Sequence, residues 1–237
     1  MQDLPMPATL KYHFWRRVRA AHYAFGLARL PFGRVLERAV GQWERAQGFG
    51  DSPKEKATWD AEYGDGRWAY IAQLHENSRY WTIIGYMDAF RGGGEYLDVG
   101  CGDGVLFSRF KALGYQRYVG IDISEVAIRQ LQCHNDDRTH FAQGDGDVHE
   151  PDGLFDVIVF NESLYYLKDP VGSLERYARS LKPGGCIIVS TYTNSRRSLA
   201  VLREAKTKLT VVDEAKTSQG SMSWLCTVLK PANAGMA

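Results

Sequence analysis

The stretch "YLDVGCGDGVL", residues 96–106, places Gly100, Gly102 and Gly104 between a short apolar run and a segment of helical periodicity. Glycine loses more backbone entropy on folding than any other residue, so three at alternating positions need a reason. The backbone either turns sharply or is approached closely. A strand, a glycine loop and a helix in that order form the ligand-binding corner of an open parallel sheet, where the first N–H groups of the helix face the bound group. The glycines alone fit a plain turn as well, and the surrounding pattern decides.

From Glu95 the chain alternates short apolar runs with amphipathic stretches. "EYLDVG", "YVGIDI", "HFAQGD", "FDVIVF" and "CIIVSTY" read as strands, and residues 105–113, 125–133, 171–181 and 195–206 as helices. "KLTVVDEA" and "SMSWLCTVL" read as a closing hairpin that forms an antiparallel edge. Strands that are apolar throughout belong to a parallel sheet covered on both faces. The expected fold class is therefore α/β, a doubly wound, mostly parallel sheet behind an N-terminal helical extension. In that extension, residues 8–30 and 32–46 carry helical spacing, and "GFGDSPKEKATWD" is a loop in which Asp51 or Ser52 caps a turn begun at Pro53. Residues 67–90 form one further helix, stopped by Gly92, Gly93 and Gly94. The division is an extension and lid over 1–92 and a core over 93–237.

A net charge of +1 leaves no overall electrostatic footprint for nucleic acid. No run of about 18 apolar residues predicts a membrane span, and the first residues lack a basic start followed by an apolar core. Cys101, Cys133, Cys186 and Cys226 form no CxxC pair, which argues against a metal site or a disulfide framework and for a reduced, cytoplasmic setting. Residues 1–50 hold eight Lys/Arg against three Asp/Glu, interleaved with Phe14, Trp15, Tyr23, Phe25 and Phe32. We read them as a basic face whose aromatics pack on the domain or on a second copy in a homodimer. An interfacial helix over 8–46, drawn to anionic lipid, is the less favoured reading.

The ligand is narrowed by charge. A dinucleotide loop runs G-x-G-x-x-G/A and holds a pyrophosphate at the helix N-terminus. Here the third glycine comes one residue early, and Asp98 and Asp103 bring two carboxylates to the loop. These suit a ligand with a positive group, an amine or a sulfonium, better than NAD. Asp122 ends the second strand, where a carboxylate accepts both hydrogens of a ribose diol; the helix-cap role already belongs to Ser124. "GDGD", residues 144–147, ends the third strand. A carboxylate there suits an adenine amine, Asp145 being preferred over Asp147, and a solvated turn fits the tetrapeptide equally well.

"LDVGCGDG", "VGIDIS", "GDG", "FDVIVFNESLYYLKDP" and "LKPGGCIIVSTY", in this order over residues 95–193, resemble the class I S-adenosylmethionine-dependent methyltransferase family. The resemblance implies a seven-stranded sheet with S-adenosyl-L-methionine, and its product S-adenosyl-L-homocysteine, across the ends of the first four strands. It implies Asp98, Gly100 and Gly102 at the methionine portion, Asp122 and Ile123 at the ribose, and Asp145 with the Gly146 backbone at the adenine. The Asn161 carbonyl would face the methionine amino group. Helices ahead of the first strand cover the cofactor in many relatives and supply an arginine for its carboxylate, a place that Arg79 fills; Tyr63 and Trp68 are the expected pocket walls. No metal is implied.

"NESLYYL", residues 161–167, is similar to a run in small-molecule methyltransferases, including the Nod-factor N-methyltransferases. It puts Glu162, Tyr165 and Tyr166 where the transferred methyl emerges. Glu162 is a base or a clamp for a substrate amine, Tyr165 stands with it, and Tyr166 lines the substrate, although one of the two tyrosines is expected merely to pack. His75, four residues before Arg79 on one helical face, is a proton-acceptor candidate set against a packing role. The functional expectation is methyl transfer to N or O of a small sugar, amine or aromatic acceptor. An NAD(P)-dependent oxidoreductase is opposed by the glycine spacing, and a non-catalytic cofactor-binding regulator by the intact motifs. Methylation of nucleic-acid bases is opposed by the lack of a [DN]-P-P-[YF] run after strand four.

Overall fold

The computed structural model describes residues 53–220 and 222–232. The helices expected over 8–30 and 32–46 and the caps at Asp51 or Ser52 lie outside the described residues. The elements are α1 (Lys56–Gly64), α2 (Asn77–Ala89), β1 (Glu95–Val99), α3 (Val105–Phe110), β2 (Arg117–Asp122), α4 (Glu125–Leu131), β3 (Thr139–Gln143), β4 (Phe155–Asn161), α5 (Pro170–Ala178), β5 (Leu181–Tyr192), α6 (Arg196–Lys208), β6 (Leu209–Gln219) and β7 (Met222–Pro231). They build one seven-stranded sheet in the order β3-β2-β1-β4-β5-β7-β6. Strands β1 to β5 are parallel, and β7 runs antiparallel between β5 and β6. The closing hairpin is present, but its second strand is the inner one and β6 is the edge.

Strands β1, β2, β4 and β5 are covered on both faces, which is why they read as unbroken apolar runs, whereas β6 at the edge is largely exposed. Leu97, Val99, Ile158 and Phe160 pack with Leu174 and Tyr177 of α5 and Leu202 and Ala205 of α6. On the other face Tyr96, Val157 and Val159 meet Ile83, Ile84 and Met87 of α2 and Leu106 and Phe110 of α3. Sequence punctuation fixes the helix starts. Asp169 accepts the Gly172 N–H at 3.0 Å ahead of Pro170, and Ser195 accepts the Ser198 N–H at 3.0 Å.

The segment 67–90 departs from expectation. It is two short 3-10 turns, Ala69–Ala72 and Leu74–Glu76, followed by α2. Gln73 between the turns is extended, with φ −76° and ψ 162°, so the helical ladder cannot run through it. His75 lies after this break, on the 3-10 turn Leu74–Glu76 that runs directly into α2 at Asn77. The strand order reverses between β1 and β4, and the crevice beyond their carboxyl ends receives residues 100–104 on one side and residues 161–166 on the other. Among the described residues, no helix is long and apolar enough to cross a membrane.

Candidate active site

Residues 100–104 turn tightly against the neighbouring strand. The N–H groups of Gly100 and Cys101 both donate to the Ile121 carbonyl, at 2.8 and 3.0 Å. Gly100 and Gly102 have φ of +77° and +56°, the left-handed region that side chains disfavour. A methyl group at Gly100 would lie 2.5 Å from Ser163 Cβ, and one at Gly102 would lie 2.6 Å from the Tyr63 hydroxyl. The missing side chains thus serve first the close approach of the chain's own residues: Ser163 at the loop after β4, and Tyr63 reaching down from α1.

Three carboxylates surround this loop. Asp122 is pinned by two backbone donors, with Gly102 N–H to Oδ2 at 2.9 Å and Ser124 N–H to Oδ1 at 2.8 Å. Burial raises its pKa to about 6 against those hydrogen bonds, with Asp103 and Asp60 adding repulsion. Asp98 is more deeply set. Its Oδ2 accepts from the Tyr118 hydroxyl at 2.8 Å, its Oδ1 has no partner, and burial lifts its pKa to about 7. Asp103 Oδ1 is likewise buried without a partner, and burial raises this group too. Ile123 follows Asp122, its carbonyl accepting from Gln143 Nε2 at 3.3 Å.

Across the crevice Arg79 is buried in a polar knot. Its Nη2 donates to Glu76 at 3.0 Å, its Nη1 donates to Asn161 Oδ1 in a short contact, and its Nε has no partner. Burial disfavours the charge, but Tyr80, Glu162 and Glu76 together outweigh it and raise the pKa. Glu162 holds φ +59°, the one positive-φ residue other than glycine among the described residues. Its carboxylate accepts from Ser190 Oγ at 2.6 Å, the Tyr165 hydroxyl at 2.8 Å and the Tyr192 N–H at 3.1 Å. Burial raises its pKa, while Arg79 and its hydroxyl donors pull the other way.

At the end of β3, Asp147 is spent on the backbone of Lys168 and Asp169, at 2.9 and 3.2 Å. Asp145 accepts the Asp147 N–H at 2.9 Å and stands beside Gly146, which packs against Leu167 and Val99. Above the crevice, α1 is docked by Asp60, which accepts from Ser124 Oγ at 2.8 Å and the Val126 N–H at 3.3 Å. Tyr63, Trp68 and Tyr166 gather around Trp59, at ring distances of 6.4, 5.5 and 4.9 Å. His75 is stacked on Tyr70 and lies 3.8 Å from Glu76, the partner of Arg79.

Residues 61–223 match a family model described as a methyltransferase domain. The chain belongs to that family, and its fold is the class I S-adenosylmethionine-dependent one. Among curated proteins, this methyltransferase is 33% identical over 116 residues to a ubiquinone biosynthesis O-methyltransferase of Albidiferax ferrireducens, covering 46% of the chain and 45% of the relative. It is 32% identical over 142 residues to 27-O-demethylrifamycin SV methyltransferase of Amycolatopsis mediterranei, covering 56% and 52%. The chain thus spans about half the length of these relatives. Its fold is similar to that of the N-methyltransferase NodS from Bradyrhizobium japonicum WM9, solved with S-adenosyl-L-homocysteine, with a TM-score of 0.61, 23% identity and coverage of 74% and 98%.

The donor set of the methyltransferase fits the cofactor. Asp98 and Asp103 each hold a buried carboxylate oxygen without a partner and Arg79 a buried Nε without one, donors and acceptors of the kind that an ammonium or sulfonium and a carboxylate call for. The sequence did not single out Glu76, Asp60, Ser190 or Tyr192. Glu76 lies three residues before Arg79, a spacing that surface ion pairs share, so nothing in the sequence marks it as buried.

Proposed function

We propose that this methyltransferase moves the methyl group of S-adenosyl-L-methionine to oxygen or nitrogen of a small acceptor held between residues 161–166 and the segment 56–89. The observation that carries the reading is the set of strand-end groups: an oriented carboxylate on β2, orphaned carboxylate oxygens at β1, and a buried guanidinium opposite. Asp122 accepts the ribose hydroxyls, Asp145 with Gly146 frames the adenine, and Arg79 and Asn161 hold the methionine end. Residues 1–92 act as extension and lid, and 93–237 as the core.

The bound cofactor supplies a methyl carbon already activated by its sulfonium. The chain's part is to orient the acceptor, exclude water and take a proton where one must leave. The Tyr165 hydroxyl is held by Glu162 Oε2, so an acceptor O–H or N–H bonded to the Tyr165 oxygen passes its proton along that hydrogen bond to the carboxylate. The raised pKa of Glu162 suits it to receive that proton. This relay does not draw on His75. The names of the curated relatives favour oxygen as the accepting atom.

The test is release of S-adenosyl-L-homocysteine, followed by mass spectrometry, with a panel of phenols, sugar alcohols and amines. Acceptor-dependent release is expected, and Glu162→Gln should lower turnover by about 100-fold, the usual size of a lost proton-transfer group, while retaining cofactor affinity. No acceptor-dependent release, or an E162Q protein of full activity, overturns the reading.

A further inference from the structure

The end of β3 is braced from α5. Arg176, in the last turn of that helix, donates from Nη2 to the Gly146 carbonyl at 2.6 Å. Its side chain is only 16% exposed, and its carboxylate neighbour, Glu150, stands 3.8 Å from Nε on the exposed side. The Gly146 carbonyl belongs to the same planar peptide group as the Asp147 N–H. That N–H donates in turn to Asp145 Oδ1 at 2.9 Å. Guanidinium, peptide and carboxylate thus form one hydrogen-bonded chain. A charged donor on the carbonyl oxygen polarises the peptide and strengthens the bond that its N–H makes on the other side.

The peptide has little room to shift. The Asp147 carboxylate accepts the Lys168 and Asp169 N–H groups at 2.9 and 3.2 Å. A methyl group at Gly146 would meet Leu167 Cδ2 at 3.0 Å and Val99 Cγ1 at 3.3 Å. A neutral donor would satisfy the Gly146 carbonyl. A largely buried guanidinium gives up more rotamer freedom and more hydration to do so. What the charge adds is a firmer hold on Asp145.

We propose that Arg176 is a positioning residue for base recognition: through the 146–147 peptide it holds Asp145 rigid against the adenine amine and so sets the preference for adenine over hypoxanthine. The proposal rests on the methyltransferase reading above, in which Asp145 and Gly146 frame the adenine. Hypoxanthine presents a carbonyl oxygen where adenine presents its amine, and an N–H where adenine has an acceptor nitrogen. A carboxylate held in place must face that oxygen unpaired and repelled, whereas one free to turn away escapes much of the penalty. Rigidity therefore shows in the ratio of the two affinities.

The probes are S-adenosyl-L-homocysteine and S-inosyl-L-homocysteine, titrated calorimetrically into the full chain. The wild type should prefer the adenine form, and Arg176→Met should cut that preference by about tenfold, the size of one lost charge-assisted bond. Arg176→Lys should restore part of it. In an Asp145→Ala background, R176M should leave the ratio as it is, because the carboxylate through which Arg176 acts is gone. An R176M protein that weakens both ligands by one factor, or that alters the ratio equally with and without Asp145, overturns the proposal. Should R176M fail to fold, Arg176→Gln keeps an N–H for the carbonyl without the charge; a ratio lowered several-fold supports the proposal and an unchanged ratio overturns it. A wild-type chain that binds both ligands equally has no base preference for Arg176 to set, and this too overturns it. Failure of the wild type to bind S-adenosyl-L-homocysteine would instead strike the methyltransferase reading itself.

Discussion

Asp98 and Asp122 show how single residues carry the site's chemistry. Both are acids placed where burial favours the neutral form, with pKa values of about 7 and about 6 against an ordinary 3.8. A folded pKa above the unfolded one gives stability that is complete below the unfolded value and lost as pH rises through the folded one. For Asp98 that window runs from about 4 to about 7. Thermal unfolding of wild type and Asp98→Asn, followed from pH 5 to 8, should therefore show the variant gaining on the wild type as pH rises and levelling off above about 7; parallel curves would contradict the burial of this charge. Asp122 was legible in the sequence because a strand-end acid followed by a serine cap has a recurring use. The left-handed backbone of Glu162 was not, because nothing in "NESLYY" marks a glutamate forced to φ +59° by its bonds to β5.

Two elements set the site's precision: the glycine loop and the docked helix α1. Gly100→Ala demands both a left-handed alanine and a methyl group 2.5 Å from Ser163 Cβ. A loss of about 1–3 kcal/mol in denaturant unfolding is expected, and Ser163→Gly in the same chain should recover part of it by removing the struck atom. Helix α1 rests on α4 through Asp60, so Asp60→Ala should speed the release of S-adenosyl-L-homocysteine several-fold in stopped-flow measurements, with little change in the unfolding of the sheet. The loop was readable from its glycine spacing together with the strand before it and the helix after it. The break at Gln73 was not, since the apolar periodicity of residues 67–90 runs on through a position whose backbone is extended. Arg109, from α3, donates to the Ala72 carbonyl at 2.9 Å just ahead of the break, a tertiary contact that no local pattern encodes.

At the scale of the molecule, the sheet was legible because its central strands β1, β2, β4 and β5 are buried on both faces and helices α4, α5 and α6 carry start signals at Ser124, Asp169 and Ser195. The placing of β7 inside β6 was not, because a hairpin reads the same whichever of its strands pairs with β5. The lid's aromatic gathering was half legible. Tyr63 and Trp68 were marked as pocket walls and Tyr166 as lining the substrate, while Trp59, Lys54 and Glu62, which join them into one cluster, carry no signal outside the fold. All of these parts converge on the proposed cofactor site at the ends of β1, β2 and β4. A calorimetric titration of the full chain with S-adenosyl-L-homocysteine, beside Asp122→Ala and beside NAD, tests that convergence most directly. Saturable binding of S-adenosyl-L-homocysteine, weakened about 100-fold by D122A through loss of charged hydrogen bonds to the ribose, is the predicted result; binding of NAD with no binding of S-adenosyl-L-homocysteine would contradict it.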